Sequence, residues 1–144
     1  MQEVITVFVR VEQVFSVKGQ AGGATMLLFS GYAEGENFKG KILPGAVDCQ
    51  KAGADGFTLS ARYILEGKDR KGKGCKIFIE NNGAPDEAGV IHTKPIVYTD
   101  SDCLKWLETA PLIGHISEQE GMLAIHICAE DASIHDEAIW MELK

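Results

Sequence analysis

The stretch from Phe38 to Gly83 constrains the fold more than any other part of the chain. Short runs rich in Phe, Ile, Leu, Tyr and Val alternate there with glycines at positions 40, 45, 53, 56, 67, 72, 74 and 83. Short apolar runs separated by glycine-containing turns are typical of antiparallel strands joined by tight connections. The stretch therefore predicts a β-meander.

Alternation of apolar and polar residues extends this prediction along the chain. In residues 57–65 the apolar side chains recur at every second position, the period of a strand with one buried face. That face consists of Phe57, Leu59, Ala61, Tyr63 and Leu65. Together with the turn signals, the same pattern predicts strands at residues 4–11, 25–32, 38–43, 46–51, 57–65, 75–81, 91–99, 112–117, 122–129 and 138–143.

The connections carry signals of their own. Pro95 lies within a predicted strand and cannot donate to a ladder, which indicates an edge position or a bulge. Residues 82–89 have the composition of an exposed loop. One short helix is predicted over residues 102–108, because Ser101 can cap it and two leucines, Leu104 and Leu107, share one side at helical spacing.

Length and composition predict one domain covering residues 1–144. A chain of 144 residues, 45% of them hydrophobic, can bury a single core. Many strands and one short helix in a single domain leave a closed barrel or a sandwich. We favour a mainly β fold, a single closed antiparallel β-barrel, because consecutive strands close when glycines bend them and closure removes exposed edges.

The charge balance bears on partners and location. Lys and Arg total 14 and Asp and Glu total 21, a formal net charge of −7. Proteins that bind nucleic acid usually present a basic face, so no nucleic-acid partner is expected. The N-terminal residues fit neither a signal peptide nor a membrane span, which predicts a cytoplasmic protein without a membrane partner. The four cysteines are widely spaced, so reduced thiols are expected, and no motif predicts a metal or a cofactor.

An ordered set of short motifs carries a family resemblance over essentially the whole chain. The motifs are Phe38-Lys-Gly40, Leu43-Pro-Gly45, Asp48, Asp55-Gly56, Ala61-Arg-Tyr63, Asn82-Gly83, Thr93-Lys-Pro95 and Trp106-Leu107. In this order they resemble domain of unknown function family 3237, also called uncharacterised protein family 0311, which is bacterial. The resemblance implies a small barrel similar to the allene oxide cyclase and calycin-like barrels, and it implies no settled activity.

Asp48 and Arg62 are the first candidates for a ligand site. An arginine beside a carboxylate inside a barrel can form a bidentate pair that orients an anionic or carbonyl-bearing ligand. The alternative is that Arg62 faces solvent, because the alternate residues of its strand already supply an adequate core face. In that case Tyr63 points inward and becomes the polar group of the pocket.

His115 and His126 are weaker candidates. A turn at residues 118–121 would set His115 opposite Ala124 and make the two histidines diagonal neighbours on one face. Such a face can bind zinc or transfer protons. The opposite face of the second strand is apolar, which favours histidines that point outward, and no metal site is predicted.

Three further side chains complete the candidates. Tyr98 and Trp106 could line the barrel mouth, although aromatic residues at such spacing are more often core residues. Asn82 precedes Gly83 and fits a turn at the barrel rim, where a side chain can also contact a ligand.

These observations support three functional hypotheses. The first is a barrel that binds a small, partly apolar organic molecule. The second is a cofactor-independent isomerase, cyclase or lyase that acts in the barrel cavity. The third is a structural, oligomer-forming protein with a filled barrel. Apolar residues on both sides of the predicted strand at residues 138–143 also suggest a homodimer or a small homo-oligomer.

Overall fold

The chain folds into an antiparallel sheet that closes on itself. The computed structural model describes residues 2–130. All consecutive strands pair with each other except the third and fourth, and the first strand pairs with both the second and the last, which completes a ring of hydrogen bonds. The prediction of a closed antiparallel β-barrel is therefore confirmed.

Nine strands and one 3-10 helix make up the described residues. The strands are β1 (Gln2–Lys18), β2 (Gly22–Glu34), β3 (Phe38–Ile42), β4 (Val47–Gly53), β5 (Gly56–Asp69), β6 (Gly74–Pro85), β7 (Ile91–Thr99), β8 (Leu112–Gln119) and β9 (Met122–Ala129). The 3-10 helix covers Lys105–Glu108, between β7 and β8. No helix within residues 2–130 is long and apolar enough to cross a membrane.

Two of these strands share a single place in the barrel. Both β3 and β4 lie between β2 and β5, and both are antiparallel to these neighbours. β3 pairs with the C-terminal half of β5, whereas β4 pairs with its N-terminal half. The break between them contains the turn at Pro44 and Gly45, where the φ angle of Gly45 is +106°. The nine strands thus occupy eight positions around the barrel.

One end of the barrel is filled with apolar side chains. Phe38, Leu104 and Leu107 are almost completely buried at this end, the last two from the segment that contains the 3-10 helix. Above them lies a group of almost fully buried residues on β1, β5, β6, β7 and β9. They are Ile5, Val7, Leu65, Ile77, Ile79, Val97 and Ile127. Burial of this apolar surface is the main contribution to stability.

Several local predictions need correction. The helix expected at residues 102–108 is only a 3-10 turn over Lys105–Glu108. β6 runs to Pro85, because residues 82–85 pair with β7 and leave a loop of only five residues. Pairing between β7 and β8 ends before Pro95, which agrees with the edge position predicted for this proline. The strand predicted at residues 138–143 lies outside the described residues.

Candidate functional site

A cavity lies at the opposite end of the barrel, beneath the hairpins that join β1 to β2, β4 to β5, β6 to β7 and β8 to β9. Its volume is about 70 Å³. Most of its wall is apolar and comes from Val9, Val11, Leu27, Phe29, Leu59, Ala61, Ile116, Leu123 and Ile125. Its polar groups come from Asp48, Gln50, Asn81 and Thr93.

Strand register brings the polar side chains of β4 and β6 to the same level of the barrel. Asp48 pairs with Ala61 on β5, and Ala61 pairs in turn with Asn81 on β6. Directly paired residues point to the same face of a sheet, so all three face the interior. Because Ala61 has only a methyl group, it leaves space between the carboxylate and the amide.

Glycines on both neighbouring strands make room for Thr93. On one side Thr93 pairs with Gly83 and on the other with Gly114. A Cβ atom built on Gly83 would lie 2.8 Å from Thr93 Cγ2, and one built on Gly114 would lie 2.2 Å from Thr93 Oγ1. Both distances are too short for any residue larger than glycine, so these two positions shape the cavity wall around the threonine.

Three polar atoms of this cavity have no hydrogen-bond partner. They are Asp48 Oδ1, Asn81 Oδ1 and Thr93 Oγ1, each shielded from solvent. Asn81 is 2% exposed and Thr93 is 1% exposed. Buried polar atoms are nearly always paired, and each exception calls for an explanation such as a water molecule or a ligand. Three exceptions around one cavity mark it as the candidate site.

The remaining polar atoms of the site are held in place. Gln50 Nε2 donates to Asp48 Oδ2 at 2.9 Å, and Asn81 Nδ2 donates to the Tyr63 hydroxyl at 3.4 Å. With the amide in this orientation, Asn81 Oδ1 faces the cavity. Tyr63 is 3% exposed and supports the amide from the layer below.

Burial controls the charge of the two ionisable groups. Burial raises the pKa of the Asp48 carboxyl, and the hydrogen bonds from Gln50 and the Ser60 backbone lower it by less. Burial likewise raises the pKa of Tyr63, against a smaller lowering by its bond to Asn81. Tyr63 is therefore a neutral phenol at physiological pH, and Asp48 is the acid–base group of the cavity.

The predicted pair of Asp48 and Arg62 does not form. Arg62 lies on the outer face of β5, where its Nε bonds Glu80 Oε1 at 2.9 Å. The reason is the strand period of two: Ala61 and Tyr63 face inward, so the side chain between them faces solvent. The structure agrees with the alternative prediction in which Arg62 faces solvent and Tyr63 points into the barrel.

Asn82 also lies on the outer face. It accepts a hydrogen bond from Ser60 Oγ at 2.6 Å and donates to Glu80 Oε2 at 3.0 Å. It therefore belongs to the same outer network as Arg62. The amide that faces the cavity is its neighbour, Asn81.

The two aromatic candidates lie away from the cavity. Tyr98 is 60% exposed on the outer face and stacks on Phe78, with ring centroids 5.8 Å apart. Trp106 lies on the 3-10 helix at the filled end and packs against the core. Neither side chain lines the barrel mouth.

His115 and His126 lie directly opposite each other, which corrects the predicted register. Positive φ angles at Glu120 and Gly121, 50° and 80°, make a two-residue turn that pairs Gln119 with Met122. The two imidazole rings stack with centroids 4.9 Å apart. His126 also contacts Glu3 through Nδ1 at 2.5 Å and Ser117 through Nε2 at 2.8 Å.

Metal binding by these histidines finds no support in the geometry. Across residues 2–130, no group of three or more His, Cys, Asp or Glu side chains is placed to hold a metal ion. The histidine pair belongs to an outer polar network and not to the cavity.

Sequence reasoning missed Gln50, Asn81 and Thr93 as site residues. The alternation of β6 contained a signal for one of them, because Cys75, Ile77 and Ile79 face inward and the next position in that series is Asn81. Thr93 was noted only as part of a Thr-x-Pro motif, and nothing in its local sequence marks it as buried.

The fold and the cavity define a closed antiparallel β-barrel with one filled end and one small, mostly apolar cavity, three of whose lining residues have unpaired polar atoms. No family model matches the chain. A segment of 64 residues is 47% identical to a member of uncharacterised protein family 0311 from Clostridium acetobutylicum. This match covers 42% of the chain and 38% of that relative, so less than half of the relative's length is represented.

Two solved structures share the fold. A protein with unknown function from Clostridium acetobutylicum has a TM-score of 0.72 and 28% identity, over 88% of this chain and 95% of that one. A β-barrel-like protein from Acinetobacter baumannii has a TM-score of 0.67 and 16% identity, over 88% and 92% of the two chains. The chain thus resembles uncharacterised protein family 0311 and shares its barrel with bacterial proteins of unknown function.

Proposed function

We propose that this protein binds a small, partly apolar organic molecule in the cavity at the open end of the barrel. One observation carries the proposal: Asp48, Asn81 and Thr93 all line this cavity, and each has a buried polar atom without a hydrogen-bond partner. Leaving a buried polar group unpaired costs about 1–3 kcal/mol. A ligand that pairs these atoms removes that cost, and its apolar part contacts the surrounding valines, leucines and isoleucines.

The filled end argues against a ligand that occupies the whole barrel. The barrel interior is closely packed between the level of Phe38 and the level of Ile79. The cavity of about 70 Å³ is small compared with the 300–1,000 Å³ typical of ligand pockets. Only one ring or one short polar group fits inside. The hypothesis of a purely structural, filled barrel explains this packing but leaves the three unpaired atoms unexplained.

Screening a library of small water-soluble fragments by protein-observed NMR tests the proposal. We expect some fragments to shift the amide signals of Asp48, Asn81 and Thr93, and Thr93→Val to weaken their binding because it removes the hydroxyl at nearly constant volume. Thr58→Val on the exposed face of β5 is the matched control. A library in which no fragment shifts these signals would overturn the proposal.

A cofactor-independent isomerase, cyclase or lyase is the second candidate. The observation in its favour is a carboxyl group in a largely apolar cavity with a raised pKa and one unpaired oxygen. Such a group suits general acid–base catalysis near neutral pH. In an isomerisation, Asp48 would take a proton from one carbon of the substrate and return it to another.

Deuterium exchange distinguishes catalysis from binding. Any fragment that binds the cavity and carries an acidic C–H bond is incubated with the protein in D2O, and loss of its proton signal is followed by NMR. An enzyme of this kind accelerates the exchange, and Asp48→Asn abolishes the acceleration. Exchange at the same rate with wild type, variant and buffer would leave binding as the function.

Location and assembly belong to the same proposal. We place the protein in the cytoplasm as a homodimer or small homo-oligomer without nucleic-acid, membrane or cofactor partners. The acidic composition supports the absence of a nucleic-acid partner. Apolar side chains exposed on β1 and β2 support self-association.

A further inference from the structure

Resting on the proposed function, we infer that the cavity selects a hydrogen-bond donor: its ligand is an elongated molecule with an alcohol, phenol or amine head and an apolar body. The head would pair with the acceptor atoms of Asp48, Asn81 and Thr93. The body would lie along the inner face of the hairpins that extend beyond the cavity. A carboxylate or phosphate head would be rejected.

The unpaired atoms set the chemistry of the head. Asp48 Oδ1 and Asn81 Oδ1 are acceptors, and the Thr93 hydroxyl can accept or donate. Each of the two nearby amides already donates one hydrogen bond, from Gln50 to Asp48 and from Asn81 to Tyr63. A ligand that brings one or two O–H or N–H groups therefore completes the network.

The charge distribution excludes an anionic head. None of the thirteen residues that line the cavity is Lys, Arg or His, and Asp48 supplies its single acidic group. The arginine expected to orient an anion lies on the outer face, bonded to Glu80. An anionic head would meet the Asp48 carboxyl without any compensating cation, and like charges at close range in a buried site are strongly unfavourable.

A groove next to the cavity fixes the shape of the ligand. Its volume is about 660 Å³, and Gln50 lines both the groove and the cavity, so the two spaces adjoin at this residue. Cross-strand pairing of Ser16 with Thr25, and of Thr25 with Gln50, places these residues one pair beyond the Asp48 level. Phe57 offers an aromatic surface further along the groove. The only cations of the groove, Lys18 and Lys51, also line it there, beyond the head-binding cavity.

A matched series of three probes tests the selection of the head. The probes 4-phenylbutan-1-ol, 4-phenylbutylamine and 4-phenylbutyrate share one body and differ only in the head group. We expect the alcohol and the amine to shift the amide signals of Asp48, Asn81 and Thr93, and the carboxylate to bind at least about tenfold more weakly. The measurement is made at physiological salt, because the net charge of the protein attracts cations nonspecifically.

Asp48→Asn separates the cavity from that general attraction. The variant keeps the size of the side chain and removes its charge, so it should weaken the amine more than the alcohol and reduce the discrimination against the carboxylate. Asp55→Asn in the β4–β5 turn, which makes the net charge less negative by the same amount, should change neither. Carboxylate binding as tight as alcohol binding would overturn the inference.

Phe57→Ser tests the groove. We expect it to weaken 4-phenylbutan-1-ol several-fold and to leave benzyl alcohol, which lacks the longer body, unchanged; Val90→Ser, on the exposed β6–β7 loop, is the control. Equal affinity of wild type and variant for 4-phenylbutan-1-ol would overturn the elongated shape. If fragments bind the cavity without preference for donors, this inference fails and the proposed function stands; if no fragment binds there, both fail.

Discussion

Asp48 illustrates a conflict between stability and binding at a single residue. Its carboxyl group is held in the barrel by Gln50, yet one oxygen faces the cavity unpaired. An ionised group that is partly removed from water is costly, which is why burial raises its pKa. A destabilising buried polar group of this kind is typical of a site in which a bound ligand supplies the missing hydrogen-bond partner.

Asp48→Asn should therefore stabilise the empty protein at neutral pH, by less than about 1 kcal/mol because solvent screens this partly exposed group. Because the folded state raises the pKa, it favours the protonated form, and the cost of ionisation grows as pH rises through the raised pKa. The melting temperature of the variant should exceed that of wild type at pH 7 and match it in acid. Thermal melts between pH 4 and 8 measure the difference, and a variant less stable than wild type at pH 7 would contradict it.

For individual residues, the sequence predicted which residue types form the site better than it predicted which way their side chains point. Asp48 was named from a motif and does face the cavity, whereas its expected partner Arg62 faces solvent. Alternation identifies two faces of a strand, and which face is the core follows from the apolar side chains. On β5 those are the odd-numbered residues, so the pattern itself favoured Tyr63 over Arg62. Thr93 could not be found, because its burial depends on glycines in two other strands.

Among the structural elements, β3 and β5 make an unusually close approach. A Cβ atom built on Gly67 would lie 2.0 Å from the Lys39 carbonyl oxygen and 2.5 Å from Gly40 Cα. Backbone atoms cannot move away as a flexible side chain can. This contact therefore requires glycine at position 67, where β5 meets the strand that shares its place with β4.

Gly67→Ala should lower the free energy of unfolding by about 1–3 kcal/mol, because the added methyl group forces the two strands apart. Gly74→Ala is the matched control, since a Cβ atom built on Gly74 would lie 3.9 Å from the nearest non-adjacent atom, the Gly67 carbonyl oxygen. Urea denaturation of both variants measures the effect. Equal losses of stability would contradict the role of close backbone contact.

The β5–β6 hairpin depends on one carboxylate. Asp69 Oδ1 accepts hydrogen bonds from the backbone N–H groups of Lys71 and Lys73, and Oδ2 accepts one from Ser101 Oγ at 2.8 Å. The hydrogen bond from Ser101 contributes most to lowering the pKa of Asp69. The carboxylate thus joins the tight turn to the segment that leads into the 3-10 helix.

Asp69→Asn should destabilise the protein at neutral pH. A lowered pKa in the folded state adds stability that is present above the ordinary pKa of an aspartate and is lost as pH falls through the lowered value. The difference in melting temperature between wild type and variant should therefore be greatest at pH 6–7 and shrink below about pH 4. Asp55→Asn controls for loss of a surface charge, and a difference independent of pH would contradict this explanation.

Elements were predictable where local pattern decides them. The strands at residues 91–99 and 122–129 were predicted with the bounds that the structure has, because alternation and flanking turns define them. The helix was overestimated, because the Ser101 hydroxyl donates to Asp69 and does not cap a helix, and only a 3-10 turn forms. The predicted register of β8 and β9 was wrong because the turn was assigned to the wrong residues. Glu120 lies in the turn with a positive φ angle, which a sequence pattern does not favour.

The whole molecule presents an apolar surface on the part of β1 that extends beyond β9. Pairing of β1 with β9 ends at Val9, whereas pairing with β2 continues to Lys18. One edge of this extension is therefore unpaired. Phe15 is 58% exposed and Val17 is 69% exposed on it. Exposed edges with apolar side chains favour association between chains.

We therefore expect a homodimer or small homo-oligomer in solution at micromolar concentration, measured by light scattering. Phe15→Ser should shift the protein toward the monomer because it removes apolar surface from the unpaired edge. Val90→Ser on a distant exposed loop is the control. A monomeric wild-type protein would contradict the expectation.

Ring closure was predictable because most connections between strands are short and all consecutive strands except β3 and β4 pair with each other. The closing contact between β1 and β9 was not visible locally, since it joins residues more than 110 positions apart, such as Thr6 and His126. The position of the cavity was equally hidden, because it depends on which end of the barrel the core side chains fill.

The short ladder between β7 and β8 affects the motions of the barrel. Only His92 with His115 and Thr93 with Gly114 connect these strands, as few pairs as connect β2 with β3, whereas β5 and β6 share ten. Backbone amides along this line should exchange with solvent hydrogen earlier than those of β5 and β6. Thr93 on β7 and Ile116 on β8 both line the cavity. A bound ligand would therefore contact both strands, stabilise their pairing and slow that exchange.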